Sequence, residues 1–242
     1  MIKYCPIILL IVFCSCGIYR QNVVNAPLMQ QKGQTQLSGH VSFNGLEGQA
    51  AYAVTNKIAL LANYSDMGIK KEQYSSTNYK TTKHRFKEIG AGVYRKTASG
   101  KIRELFVFAG KGMTSNDVIG RNSTGDISLK SQEVNYSRFV VQADYGSKSK
   151  KFQQIISPRL LAVNYYRIAD SARTDYQNRS NFNIYAEGAV TIRYSILKFL
   201  MISGQVSATL PIIDSQDNYF EFSPFSVSIG LVFNANLRKP HK

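Results

Sequence analysis

From about residue 35 to the end, hydrophobic and polar positions alternate with a period of two. In 181–194 (NFNIYAEGAVTIRY), Phe182, Ile184, Ala186, Gly188, Val190, Ile192 and Tyr194 share one face. Asn181, Asn183, Tyr185, Glu187, Ala189, Thr191 and Arg193 share the other. A strand separates two such sets and a helix scatters them. The same alternation runs through 138–146, 198–210 and 226–234. In 103–111 both faces are apolar, with Leu105, Val107 and Ala109 against Phe106 and Phe108, so its orientation stays open. The strands expected are 35–44, 46–55, 57–66, 83–96, 101–114, 133–146, 150–168, 181–194, 197–210 and 224–235. Pro158 lacks a main-chain donor and predicts a bulge or a break in the seventh.

The connections alternate in length. Those after the second, fourth, sixth and eighth strands are tight. Those after the third, fifth, seventh and ninth are long, at 67–82, 115–132, 169–180 and 211–223. The first connection, near Gly45, is the exception. Transmembrane β-barrels sort their connections this way, with short periplasmic turns and longer outer ones. A soluble barrel or sandwich has no reason to do so. The fold expected is all-β: an antiparallel up-and-down transmembrane β-barrel of about ten strands over 35–236, with both chain ends in the periplasm.

The first residues add a second kind of information. All three cysteines, Cys5, Cys14 and Cys16, fall in the first sixteen positions. Lys3 precedes an apolar run, 6–13 (PIILLIVF), too short to cross a bilayer as a helix but suited to a signal peptide. Ser15-Cys16 after this run resembles a bacterial lipobox. That resemblance implies a signal at 1–15 cut before Cys16, with the Cys16 thiol lipidated. Residues 16–34 then read as a lipidated periplasmic tether, and 237–242 (LRKPHK) as a basic periplasmic tail. Near the end, 228–233 (SIGLVF) resembles the assembly signal of outer-membrane barrels. Together 25–39 (NAPLMQQKGQTQLSG), 48–65 (GQAAYAVTNKIALLANYS), 156–166 (ISPRLLAVNYY) and 222–234 (FSPFSVSIGLVFN) resemble the small outer-membrane β-barrel lipoproteins of Bacteroidetes-type bacteria. The resemblance implies fold and location, and no catalytic residue.

Composition then narrows the partners. With 30 Lys+Arg against 15 Asp+Glu the formal charge is +15. An exported lipoprotein does not meet nucleic acid, so acidic lipid or an acidic envelope polymer is the expected counterpart. Barrel-assembly and lipoprotein-sorting machinery are implied by the signals above. Lys57, Lys101, Lys148, Lys150, Lys151 and Lys198 cluster at the tight turns and predict a basic periplasmic girdle. On the expected lumen face lie Glu47, Gln49, Glu88, Arg138, Gln142, Asp144, Arg159, Glu187, Arg193 and Gln205, with Phe199 and Met201 as further bulk. Opposite charges inside a narrow barrel can pair, and unpaired each is costly to desolvate. These residues read as a structural filling.

No histidine pair has metal spacing, no glycine-rich phosphate loop occurs, and no cofactor is implied. His84 beside the Ser/Thr-rich 75–82 is the one feature that suggests a lipid-modifying hydrolase. The function expected is a lipid-anchored, non-enzymatic barrel with a structural or interaction role in the envelope. The alternatives are a small-solute pore or transporter, and that hydrolase.

Overall fold

A computed structural model describes residues 20–75, 78–121, 127–148, 151–170, 181–213 and 224–236. Ten strands follow one another: β1 (Gln34–Ser42), β2 (Gly45–Ala53), β3 (Ile58–Ser75), β4 (Asn78–Lys96), β5 (Ile102–Arg121), β6 (Ile127–Lys148), β7 (Phe152–Asp170), β8 (Asn181–Ser195), β9 (Leu200–Ile213) and β10 (Phe225–Asn236). Each pairs antiparallel with its sequence neighbours, and β1 pairs β10 from Gln34↔Asn236 to Ser42↔Ser228, closing the barrel. Closure leaves no sheet edge, which a bilayer could not satisfy.

The alternation settles which face is which. Leu37, Leu60, Ile89, Leu105, Val107, Phe139, Leu160, Val190, Val206 and Leu231 point outward and are exposed as an apolar belt. Outward aromatics gather near its two ends, Tyr52, Tyr145, Tyr194 and Phe233 at one and Tyr64, Tyr166, Phe182 and Phe225 at the other. An apolar belt between aromatic girdles is the surface of a transmembrane barrel. The open orientation of 103–111 resolves with Phe106 and Phe108 inward.

Two expectations need correction. The connections expected at 67–82 and 115–132 are mostly strand, because β3 with β4 and β5 with β6 continue pairing to Ser75↔Asn78 and Arg121↔Ile127. Pro158 neither breaks nor bulges β7. The β6–β7 ladder skips two rungs, at Pro158 and Ser157, and resumes in the same register, from Gln142↔Arg159 to Tyr145↔Ile156. The neighbour on the other side, Gly188, pairs normally.

The rim is uneven. β1 and β2 have nine residues each, enough for one crossing. Leu46 pairs with Asp66, yet β3 continues to Ser75, nine residues or roughly 30 Å of strand beyond. The β1–β2 turn is therefore a low lip beside a tall wall made by β3 to β7. β3 bulges at Met67 where it passes this lip, and Asp66 accepts from the Gly68 amide (2.7 Å) and the Arg85 guanidinium (3.2 Å). Gly45 is required there: its φ is 117°, and a Cβ would collide with the Met67 backbone.

Candidate functional site in the barrel lumen

Residues 21–29, expected as a solvated tether, lie buried inside the barrel. Their main chain is held by wall side chains. The Val23 amide donates to both Glu47 oxygens (2.9 Å each), and Gln49 donates to the Val23 carbonyl (2.7 Å). Gln205 accepts from the Val24 amide (2.7 Å) and donates to its carbonyl (3.1 Å). Gln142 donates to the Asn25 carbonyl (2.8 Å), Gln36 to that of Pro27 (3.1 Å) and Asn44 to that of Gln21 (2.8 Å). An extended segment in a lumen has no ladder partner, so side-chain amides and carboxylates take the ladder's place.

At the lower end the segment turns on Leu28, whose φ of 54° places it in the left-handed region. A left-handed residue aims successive amides to one side, a concavity that suits an anion. Glu104 fills it, accepting from the Leu28 amide (3.0 Å) and the Met29 amide (2.6 Å). The Leu28 side chain lies over Gly146, where any Cβ would strike it, and packs with Ala26, Ile102 and Ile155. Glu104→Ala leaves two buried donors unsatisfied, at about 1–3 kcal/mol each. Urea unfolding in detergent should show a loss of that order, partly restored by Glu104→Gln. An unchanged midpoint would refute the anchoring role of Glu104.

The charged residues expected to face the lumen are all buried. Arg138 pairs with Glu88 at 2.8 Å, both side chains at most 2% exposed, and its guanidinium lies 3.9 Å above the Phe86 ring. Arg138 on β6 reaches Glu88 on β4 across Gly110 of β5, which stands between them in register and has no side chain to block the way. Tyr136 crosses Gly112 in the same manner to stack on Phe86 and His84. Arg159 pairs with Glu187 directly across the β7–β8 ladder. Arg138 and Arg159 also donate to the Asn22 side chain and carbonyl, at 3.0 and 3.4 Å. Asp144 accepts from Gln142. Arg193 is fully buried within electrostatic reach of Glu104 and Asp144.

Other expected residues fall elsewhere. Phe199 is not in the lumen; it is exposed in the β8–β9 turn and packs edge-on against Phe233 at 5.6 Å. Met201 does face inward. Lys57, Lys101, Lys151 and Lys198 are exposed at the short-turn end, where β6 also ends at Lys148. Lys150, Cys16, the signal at 1–15 and the tail at 237–242 lie outside the described residues. His84 is buried, its Nε2 2.8 Å from the Tyr136 hydroxyl, so it takes part in the aromatic stack. Among the described residues no group of three His, Cys, Asp or Glu is placed to hold a metal. Glu104 and Asn22 went unnoticed in the sequence. Glu104 sits beside the stretch with two apolar faces, and Asn22 in one without periodicity.

Solved structures share this fold. The translocator domain of autotransporter NalP from Neisseria meningitidis matches with a TM-score of 0.53 and 10% identity, over 83% of this chain and 86% of that one. The outer membrane protease OmpT from Escherichia coli matches with a TM-score of 0.51 and 10% identity, over 84% and 94%. At this identity the likeness is one of fold. No protein-family model matches the chain, and no curated protein matches it by sequence.

Proposed function

We propose that this chain is an integral outer-membrane barrel closed by its own N-terminal segment, with a structural or interaction role in the envelope. The observation that carries this is the burial of residues 21–29 with their main chain bonded to the wall. Short turns face the periplasm in barrels of this kind. In that orientation the exposed lysines of the turns sit near anionic headgroups, each gaining about 1 kcal/mol. The tall wall from β3 to β7 then projects from the cell as the surface offered to partners. Insertion would use the barrel-assembly machinery that serves such folds.

A second reading, transport of a solute or a polypeptide, is supported by the likeness to a translocator domain. The occupied lumen favours a closed state. The test is electrical: purified protein in a planar bilayer at neutral pH should show no steady conductance. Steady conductance in the full chain would put transport first.

A further inference from the structure

The lumen segment has a direction. At one end the Gln21 side-chain amide donates to the Thr209 hydroxyl and the Pro224 carbonyl, its own carbonyl accepts from Asn44, and Arg20 reaches the Met67 sulfur at 3.6 Å. Asn44 is in the β1–β2 turn, Met67 is the bulge beside it, and Pro224 directly precedes β10. All belong to the long-strand end. At the other end Met29 bonds Glu104, the third residue of β5, and the Gly33 amide donates to the Ala53 carbonyl at the last residue of β2 (2.8 Å). These belong to the short-turn end. Eight residue steps at about 3.3 Å reach at most roughly 26 Å, comparable to the height of a barrel's apolar belt at about 25 Å. The segment crosses the membrane once, antiparallel to β1.

Arg20 and Gln21 therefore lie at the long-strand rim, where that rim is lowest. Cys16 is four residues before Arg20, within about 14 Å of it along the chain. The outer surface beside the lip is apolar, with Val41, Phe43, Leu46 and Ile229 all exposed. We infer that the chain's N-terminal end emerges on the side of the long connections, and that acyl chains on Cys16 lodge in the leaflet there, the outer one. This reverses the expectation of a periplasmic N-terminus. Naming that leaflet the outer one rests on the orientation proposed above; the shared side does not.

The test uses intact cells producing the full chain, with folding checked by heat-modifiable migration on gels. An epitope is inserted between Ile18 and Tyr19, and single cysteines are placed at Thr124 and Ser99 in separate variants. Antibody should bind the epitope, and an impermeant maleimide should label Thr124→Cys but label Ser99→Cys only after permeabilisation. An epitope protected while Thr124→Cys reacts overturns the inference and leaves the orientation standing. Labelling of Ser99→Cys with protection of Thr124→Cys overturns the orientation alone, provided the epitope is protected too. Where the insertion blocks export, Tyr19→Cys with maleimide gives the same comparison. Radiolabelled fatty acid should mark the wild type and not Cys16→Ala; an unlabelled wild type overturns the lipid half of the inference.

Discussion

Protein lacking residues 21–29 should conduct steadily in a planar bilayer, where the full chain is silent. The segment is bonded by polar side chains from around the wall, Gln36 on β1, Glu47 and Gln49 on β2, Gln142 on β6 and Gln205 on β9. Phe86, Phe106, Phe108, Tyr136, Leu161, Val163, Tyr165 and Tyr185 are buried in an apolar cluster. Ten strands lie near the size at which side chains alone fill the interior. Here the segment fills part of the interior together with them. Its removal uncovers carboxylates and amides that recover their hydrogen bonds from water, so the vacated path wets and carries ions. A variant that keeps heat-modifiable migration yet stays silent would show that the wall closes without the segment. If the deletion fails to fold, Glu47→Ala with Gln205→Ala, which releases the segment without removing it, should give intermittent conductance.

The second large effect concerns the buried ion pairs. Replacing Arg138, Arg159 and Arg193 together with alanine should lower the unfolding midpoint far more than any surface change. Breaking one buried pair costs about 3–5 kcal/mol, because the partner is left charged and desolvated. Arg138→Ala takes the guanidinium from the buried Glu88 carboxylate, leaving it the Asn63 amide at 2.8 Å among the described residues, and removes the cation above Phe86. Arg159→Ala removes the guanidinium that pairs with the buried Glu187 carboxylate. Arg159→Met combined with Glu187→Leu removes both charges at similar volume and should cost much less than Arg159→Ala, since an apolar replacement of a whole pair is often neutral. Thermal unfolding in detergent ranks the variants. Equal losses for the single and the double change would mean that packing, not charge, governs the site.

The strands inside the membrane were legible because one face meets lipid and the other the lumen, so composition alternates with the pleat. Strand count, closure and every charged lumen residue expected followed from that contrast. The upper parts of β3 to β6 were not legible. In KKEQYSSTNYKTTK (70–83) both faces are polar, and period-two alternation leaves no trace when neither side is apolar. Residues 21–29 failed for a different reason. Gln21, Asn22, Asn25 and Leu28 contribute side-chain contacts, but much of the hold is on main-chain amides and carbonyls, which look the same in any sequence. The signal lay in the wall: Gln49, Gln142 and Gln205 turn amide donors into the lumen, and an arginine has nothing that can accept from them.

The lumen segment also constrains how the barrel forms. β1 and β10 are the first and last strands, so the seam between them cannot close until Asn236 exists. By then 21–29 must already be in place, or it must be threaded through a finished barrel whose interior is packed. Its bonds differ in how early they can form. Val23 meets Glu47 and Gln49 across 24 and 26 residues, so a curl of the chain onto the nascent β1–β2 hairpin needs nothing downstream. Val24 meets Gln205 across 181 residues, and Gln21 meets Thr209 across 188. Loop closure over the short span is the smaller entropic loss. The first hairpin therefore holds the segment while the remaining strands are added, and β9 and β10 shut over it as the sheet comes full circle.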